Sequence, residues 1–313
     1  MSHTKNFNDI FIKRDNKLRP IEEILTEQDF SFKELKEDCK LYLVPSEDKC
    51  DISFVIPVRG RQEFLSTMFD AFTKANEKTT LNVCLTVVEH SHETVHLDYC
   101  QENGISYISI PCEKDDLFNK CLAMNCGAIW SHDSEFLLFH DLDCIMQSDF
   151  FDNIMANLEE KQTDALQTFT KRRVLYCNKI LTQKILQGGY DYDSLRLNNF
   201  TVTLPQFVGA PGGSIFIKRE AFYKVGGYDH IFFQANSPED SFFWRKLATI
   251  SSIDVCDEPE NELFHLNHPI TYHSNPRIEE MKEVDFQFGI MAENQAREFV
   301  FLCEAKFEEW RNK

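Results

Sequence analysis

Between residues 51 and 144, four apolar runs ("DISFVIPV", "LNVCLTVVEHS", "ISYISIP" and "SEFLLFHDLDC") are interleaved with two amphipathic stretches. The first of these, "RQEFLSTMFDAFTKA", places Phe64, Leu65, Met68, Phe69 and Phe72 at helical spacing. The second is "DLFNKCLAMNCGAIW". The order strand, helix, strand, strand, helix, strand predicts an α/β fold whose sheet is mostly parallel and joined by crossover helices. In such sheets ligands gather beyond the carboxyl ends of the strands. The turns carry neither GxGxxG nor GxxxxGK spacing, so a dinucleotide fingerprint and a phosphate P-loop are both unsupported.

Charge narrows the partners. The chain of 313 residues has 33 Lys plus Arg against 51 Asp plus Glu, a formal charge of -18, which repels nucleic acid polymers and anionic membranes. A small anionic ligand then needs a metal or a local cluster of Arg and Lys. The 28 Phe predict an aromatic-rich core. Eleven Cys, an odd number without a CxxC pair, read as free thiols in a reducing compartment. The N-terminus lacks the apolar run of a signal peptide, and no stretch approaches the roughly 18 apolar residues of a membrane helix. The expectation is a cytoplasmic protein with no transmembrane segment.

Asp141 and Asp143 end the fourth apolar run. Carboxylates there suit hard ions such as Mg²⁺ and Mn²⁺. While the chain is extended, residues two apart point the same way; a turn would let only one ligate. The plainer alternative is a strand cap beside a solvated acid. "SPEDSFFWRKLATI" has a helix-start signature, with Ser237 as N-cap, Pro238 at the first helical position and Asp240 at N3. Glu239 and Asp240 there either complement the helix dipole or, on a well-packed helix, supply a general base. His265 and His268 would complete a carboxylate site for Mn²⁺ better than for Ca²⁺. His90, His92 and His96 read as surface loop residues. Gly212 and Gly213 permit close backbone approach or positive φ. Arg59 and Arg61, after the first strand, can pair with a phosphate or a base. His140 has no assigned role.

In order along the chain, "IPVRGRQEFL", "FNKCLAMNCG", "FHDLDCI", "GGSIFIKREAFYKVGGYD" with "EDSFFWRKL", and "FHLNHP" resemble motifs of the β-1,4-galactosyltransferase family. The likeness spans roughly residues 50 to 275 and is shared in part with the polypeptide N-acetylgalactosaminyltransferases and the chondroitin-type polymerases. It implies a GT-A fold and inverting transfer from a UDP-sugar donor to a glycan acceptor, with Mn²⁺ (or Mg²⁺) bridging enzyme and diphosphate. By position, the resemblance makes Asp143, His265 and His268 metal ligands and gives Asp141 a part at the nucleotide ribose or metal shell. Asp240 falls on the catalytic base, with Glu239 holding the acceptor, and Pro57, Arg59 and Arg61 fall on the nucleotide loop.

The chain departs from the family twice. Asn236 stands where the family has a lid Trp. Ala210 stands where the family has a bulky aromatic, two residues before the Gly212–Gly213 pair of the donor side. A small residue leaves room for an N-acetyl group, which favours UDP-GalNAc over UDP-Gal. The expected organisation is an N-terminal helical extension over 1–50, a catalytic domain over 51–275 and a helical tail over 276–313. Within the catalytic domain, 51–145 is the nucleotide-binding half and 146–275 the acceptor half. Synthesis of a surface polysaccharide or oligosaccharide is the expected setting. The competing readings are a retaining transferase, a sugar-phosphate nucleotidyltransferase, and a carbohydrate- or UDP-binding protein that has lost turnover.

Overall fold

The computed structural model describes residues 11–14, 17–26, 31–45, 49–170, 173–188, 201–202, 212–235, 237–269 and 275–312. Its main sheet has eight strands, in the order Ile253–Val255, Ala165–Gln167, Ser214–Lys218, Ser134–His140, Cys50–Val58, Val83–Ser91, Ser106–Pro111 and Lys40–Tyr42. The four long strands from Ser134–His140 to Ser106–Pro111 run parallel. Ser214–Lys218 and the Lys40–Tyr42 edge strand run antiparallel to their neighbours. The expected mostly parallel α/β sheet is therefore present.

The sequence explains the centre of this sheet. In "CDISFVIPV" every residue except Asp51 is buried, as a strand covered on both faces requires. The helix Gln62–Lys78 buries Phe64, Leu65, Met68, Phe72 and Ala75 along one stripe against one face. The helix Lys120–Trp130 lies on the other face and comes unusually close to it. A Cβ on Gly127 would meet Val55 Cγ1 at 2.3 Å, so only glycine allows this contact. Arg219 fixes the far end of that helix, donating from Nη2 to His132 O at 2.7 Å and from Nε to Ser134 O at 2.8 Å. A cation at a helix C-terminus also answers its dipole.

A short helix, Leu97–Glu102, sits between the second and third parallel strands, beyond the expected pattern. The terminal segments share the core on the Lys120–Trp130 face. Phe32, from the helix Phe32–Asp38, and Phe222 both pack edge-on to Phe307 of the C-terminal helix Glu293–Asn312, with ring centroids 5.6 and 5.9 Å apart. The eleven cysteines are all free thiols, and most are buried.

A second, four-stranded sheet, ordered Thr201–Val202, Val174–Cys177, Leu263–His265 and Cys144–Ile145, stands beyond the end of Ser134–His140. The stretch "DALQTFTKRRVLYCN" contributes one strand to each sheet.

Candidate active site

Asp141 and Asp143 are not on an extended strand. The strand stops at His140, and Cys144 N donates to Asp141 O at 3.0 Å, closing a turn. Past the turn, Cys144–Ile145 pairs antiparallel with Leu263–His265, setting His265 opposite Cys144. Leu266 N donates to Asp143 O at 2.8 Å. Asn267 N donates to Thr182 Oγ1 at 2.8 Å, fixing the chain just before His268. The small sheet thus carries residues more than a hundred positions downstream to the second aspartate.

The turn sends its two carboxylates to different partners. Asp143 Oδ2 is 3.0 Å from His268 Nε2, and Asp143 Oδ1 is 3.9 Å from His265 Nε2. Arg61 Nη1 donates to Asp143 Oδ2, and its Nη2 is 3.1 Å from His268 Nδ1. Arg61 itself adopts the left-handed conformation, φ 55°, directly before the helix Gln62–Lys78. Burial alone would raise the Asp143 carboxyl. The hydrogen bond to His268 and the charges of His265 and Arg61 outweigh it and hold the group far below the usual range. The same hydrogen bond raises His268.

Asp143, His265 and His268 each offer one ligand atom, all within 4.8 Å of one another. A carboxylate with two imidazoles can hold a first-row divalent ion such as Mn²⁺, so the residues present fit a metal. The ring of Tyr176 packs tilted against His265, with centroids 4.9 Å apart and the ring planes 38° from parallel.

Asp141 turns the other way, to Lys120 Nζ at 2.8 Å. The same ammonium is 3.3 Å from Asp240 Oδ2 and 3.9 Å from Glu239 Oε1. Burial would pull Lys120 down, but Asp141, Asp240 and Glu239 together raise it well above its ordinary value, so it stays charged. Burial, then the neighbouring Asp240, pushes Glu239 up to about 8. Burial also raises Asp240, against the pull of Lys120. Burial thus shifts both carboxyls of the pair toward the protonated form, and Asp240 is the nearer of the two to the ammonium. Gly212 leaves space for that carboxylate: a Cβ there would lie 2.7 Å from Asp240 Oδ2, at φ 147°. Gln167 holds the Gly212 backbone through both of its amide atoms, and Gly213 O accepts from Asp141 N at 2.7 Å.

Several sequence expectations change. Ser237 is not the N-cap; the helix Glu239–Ile250 starts after Pro238, and Ser237 Oγ donates to Glu239 Oε2 at 2.8 Å. Pro238 is thus the cap residue and Asp240 the second helical one. His90 and His96 are buried rather than on a surface loop. His90 Nδ1 accepts from Asn119 N, and His96 Nε2 donates to Gly60 O at 2.9 Å. Arg59 is committed to the backbone of its neighbouring loop, donating to Asp116 O at 2.6 Å and to Lys114 O. Pro57 lies within the central strand, opposite Val88. Ala210 and Asn236 lie outside the described residues.

His140 has a clear job. Its Nε2 lies 2.5 Å from Cys144 O and its Nδ1 2.8 Å from Ser214 Oγ. A carbonyl only accepts, so Nε2 carries the proton and Nδ1 accepts from Ser214. Sequence reading also passed over Lys120. Its one available signal was a lone Lys in an otherwise apolar helix face, which does not reveal three acids arriving from elsewhere.

A family model described as glycosyltransferase like family 2 matches residues 53–269. The chain belongs to this glycosyltransferase family. No curated protein matches this glycosyltransferase by sequence. Among solved structures, S. aureus TarS 1-349 in complex with UDP superposes with a TM-score of 0.51 at 15% identity, covering 80% of this chain and 70% of that one. The same fragment in complex with UDP-GlcNAc gives 0.50 at 14% identity, covering 80% and 71%. A longer S. aureus TarS structure gives 0.50 at 15%, covering 79% of this chain; the glycosyltransferase spans 41% of that protein. The shared fold is GT-A. The narrower likeness to the β-1,4-galactosyltransferases rests on the sequence motifs. Among the described residues, no helix is long and apolar enough to cross a membrane.

Proposed function

We propose that this chain is an inverting, divalent-metal-dependent glycosyltransferase that moves GalNAc, or Gal, from a UDP-sugar to a hydroxyl of a glycan acceptor in polysaccharide or oligosaccharide synthesis. One observation carries the reading. The two carboxylates of a single turn face two different clusters: a carboxylate–imidazole group on one side, and an acid pair with a shared ammonium on the other. Metal-assisted departure of a diphosphate needs the first, and deprotonation of an incoming hydroxyl needs the second.

Asp143, His265 and His268 would hold Mn²⁺ or Mg²⁺, which when bound supplies positive charge to the leaving diphosphate. Arg61, beside them, adds a cation of its own. Ionised Asp240 takes the proton of the acceptor hydroxyl as that oxygen bonds to C1 of the sugar. The C1–oxygen bond to UDP breaks on the opposite face, so the anomeric configuration inverts. Protonated Glu239 donates a hydrogen bond to the acceptor sugar. A UDP donor is supported by TarS, solved in complex with UDP and with UDP-GlcNAc. The preference for an N-acetylated donor rests on the small residue at Ala210.

Asp240→Asn tests the base. With UDP-GalNAc, Mn²⁺ and a panel of glycan acceptors, its kcat should fall about a thousandfold while calorimetry finds UDP affinity unchanged. Wild-type turnover by this variant would remove Asp240 from the role.

A further inference from the structure

Lys120 occupies a position that helix energetics disfavour. It is the first residue of the helix Lys120–Trp130, where the dipole repels a cation and where this helix has no acidic residue. Its side chain is only 14% exposed. What offsets this cost comes from outside the helix: Asp141 at 2.8 Å, Asp240 at 3.3 Å and Glu239 at 3.9 Å. One ammonium thus serves three carboxylates drawn from two separate segments.

The backbone around it is tied down in the same direction. Ala235 N donates to Phe118 O at 2.6 Å, and Asn119 Nδ2 donates to His230 O at 3.0 Å. Asn119 Oδ1 meanwhile caps the helix by accepting from Leu122 N at 2.9 Å. The start of the Lys120 helix is therefore locked to the segment that leads into Glu239 and Asp240. Lys120 does not reach the acid pair by chance extension of a long side chain.

We propose that Lys120 is a positioning residue for the transfer step, its ammonium fixing the Asp240 carboxylate against the turn that carries Asp141 and Asp143. This rests on Asp240 being the base. The groups that face Asp240 are Lys120, its own neighbour Glu239, Asp141 across the ammonium, the Cys121 thiol and the Tyr228 hydroxyl. Burial raises Cys121 and Tyr228 well above their ordinary values, so neither supplies charge at neutral pH. Among these groups Lys120 is the cation. Without it, Asp240 faces two other acids with nothing to orient it and holds its proton more tightly.

The test compares wild type with Lys120→Gln, Lys120→Arg and Asp240→Asn, using UDP-GalNAc, Mn²⁺ and an acceptor identified by the wild-type enzyme. Lys120→Gln keeps a hydrogen-bond donor and loses the charge. Its kcat should fall about a hundredfold, with UDP affinity within about threefold of wild type. The acid limb of its kcat/KM profile should move to higher pH. Lys120→Arg should recover kcat to within about tenfold. Lys120→Gln turnover within about threefold of wild type, or a loss of UDP affinity that tracks the loss of kcat, overturns the assignment. If Lys120→Gln does not fold, Lys120→Arg decides: a folded, UDP-binding variant without turnover contradicts it. An active Asp240→Asn instead locates the failure in the base reading, whatever the Lys120 variants do.

Discussion

Glu239 and Asp240 are adjacent in sequence but not alike in chemistry, and the difference is made by neighbours the sequence does not place. Burial and the adjacent acid push Glu239 up to about 8, while Asp240 has Lys120 closer by. The consequence for stability has a definite sign. A carboxyl whose folded value exceeds its unfolded value binds more protons in the native state, so it lowers stability as pH rises between the two. Glu239→Gln lacks that penalty. Its melting temperature relative to wild type should rise from pH 5 to pH 9, measured by scanning calorimetry at both. A constant difference would mean that Glu239 ionises freely. Residue types at this scale were legible: Asp143, His265, His268, Glu239 and Asp240 all stood out as candidates. Lys120 did not, because its meaning depends on acids 21 to 120 positions away.

The element that organises the site is the turn from His140 to Cys144, and here the sequence was ambiguous for a physical reason. An apolar run that ends in D-x-D has the same pattern whether the chain stays extended or folds back. The Cys144 hydrogen bond to Asp141 O decides it, and His140 braces it from the core. Burial pulls the His140 imidazole down to about 4, so it is neutral at pH 7 and can accept on one nitrogen while donating on the other. His140→Ala leaves Ser214 Oγ and Cys144 O without that partner. It should cost about 2–4 kcal/mol in urea denaturation, and it should weaken Mn²⁺ binding by releasing the turn. A variant as stable as wild type would show that the turn holds without the ring. Helix boundaries were less legible than helix existence. Ser237 looked like a cap, yet its hydroxyl serves Glu239 and Pro238 takes the boundary.

At the scale of the whole molecule, the parallel sheet was legible because its strands are apolar throughout and its helices striped. The small second sheet was not, since its strands run only two to four residues and draw on distant segments. That sheet nevertheless brings His265 and His268 to Asp143, while the end of the strand Ser134–His140 brings Asp141, and the helix Glu239–Ile250 brings Asp240, to Lys120. The site therefore has two chemically distinct ends, as the proposed single displacement requires. The anomeric configuration of the product tests this most directly. With UDP-GalNAc, Mn²⁺ and an acceptor glycan, proton NMR of the purified product should show a β-linked sugar formed with release of UDP, and Asp143→Asn should form none. An α-linked product, or release of pyrophosphate in place of UDP, would contradict it.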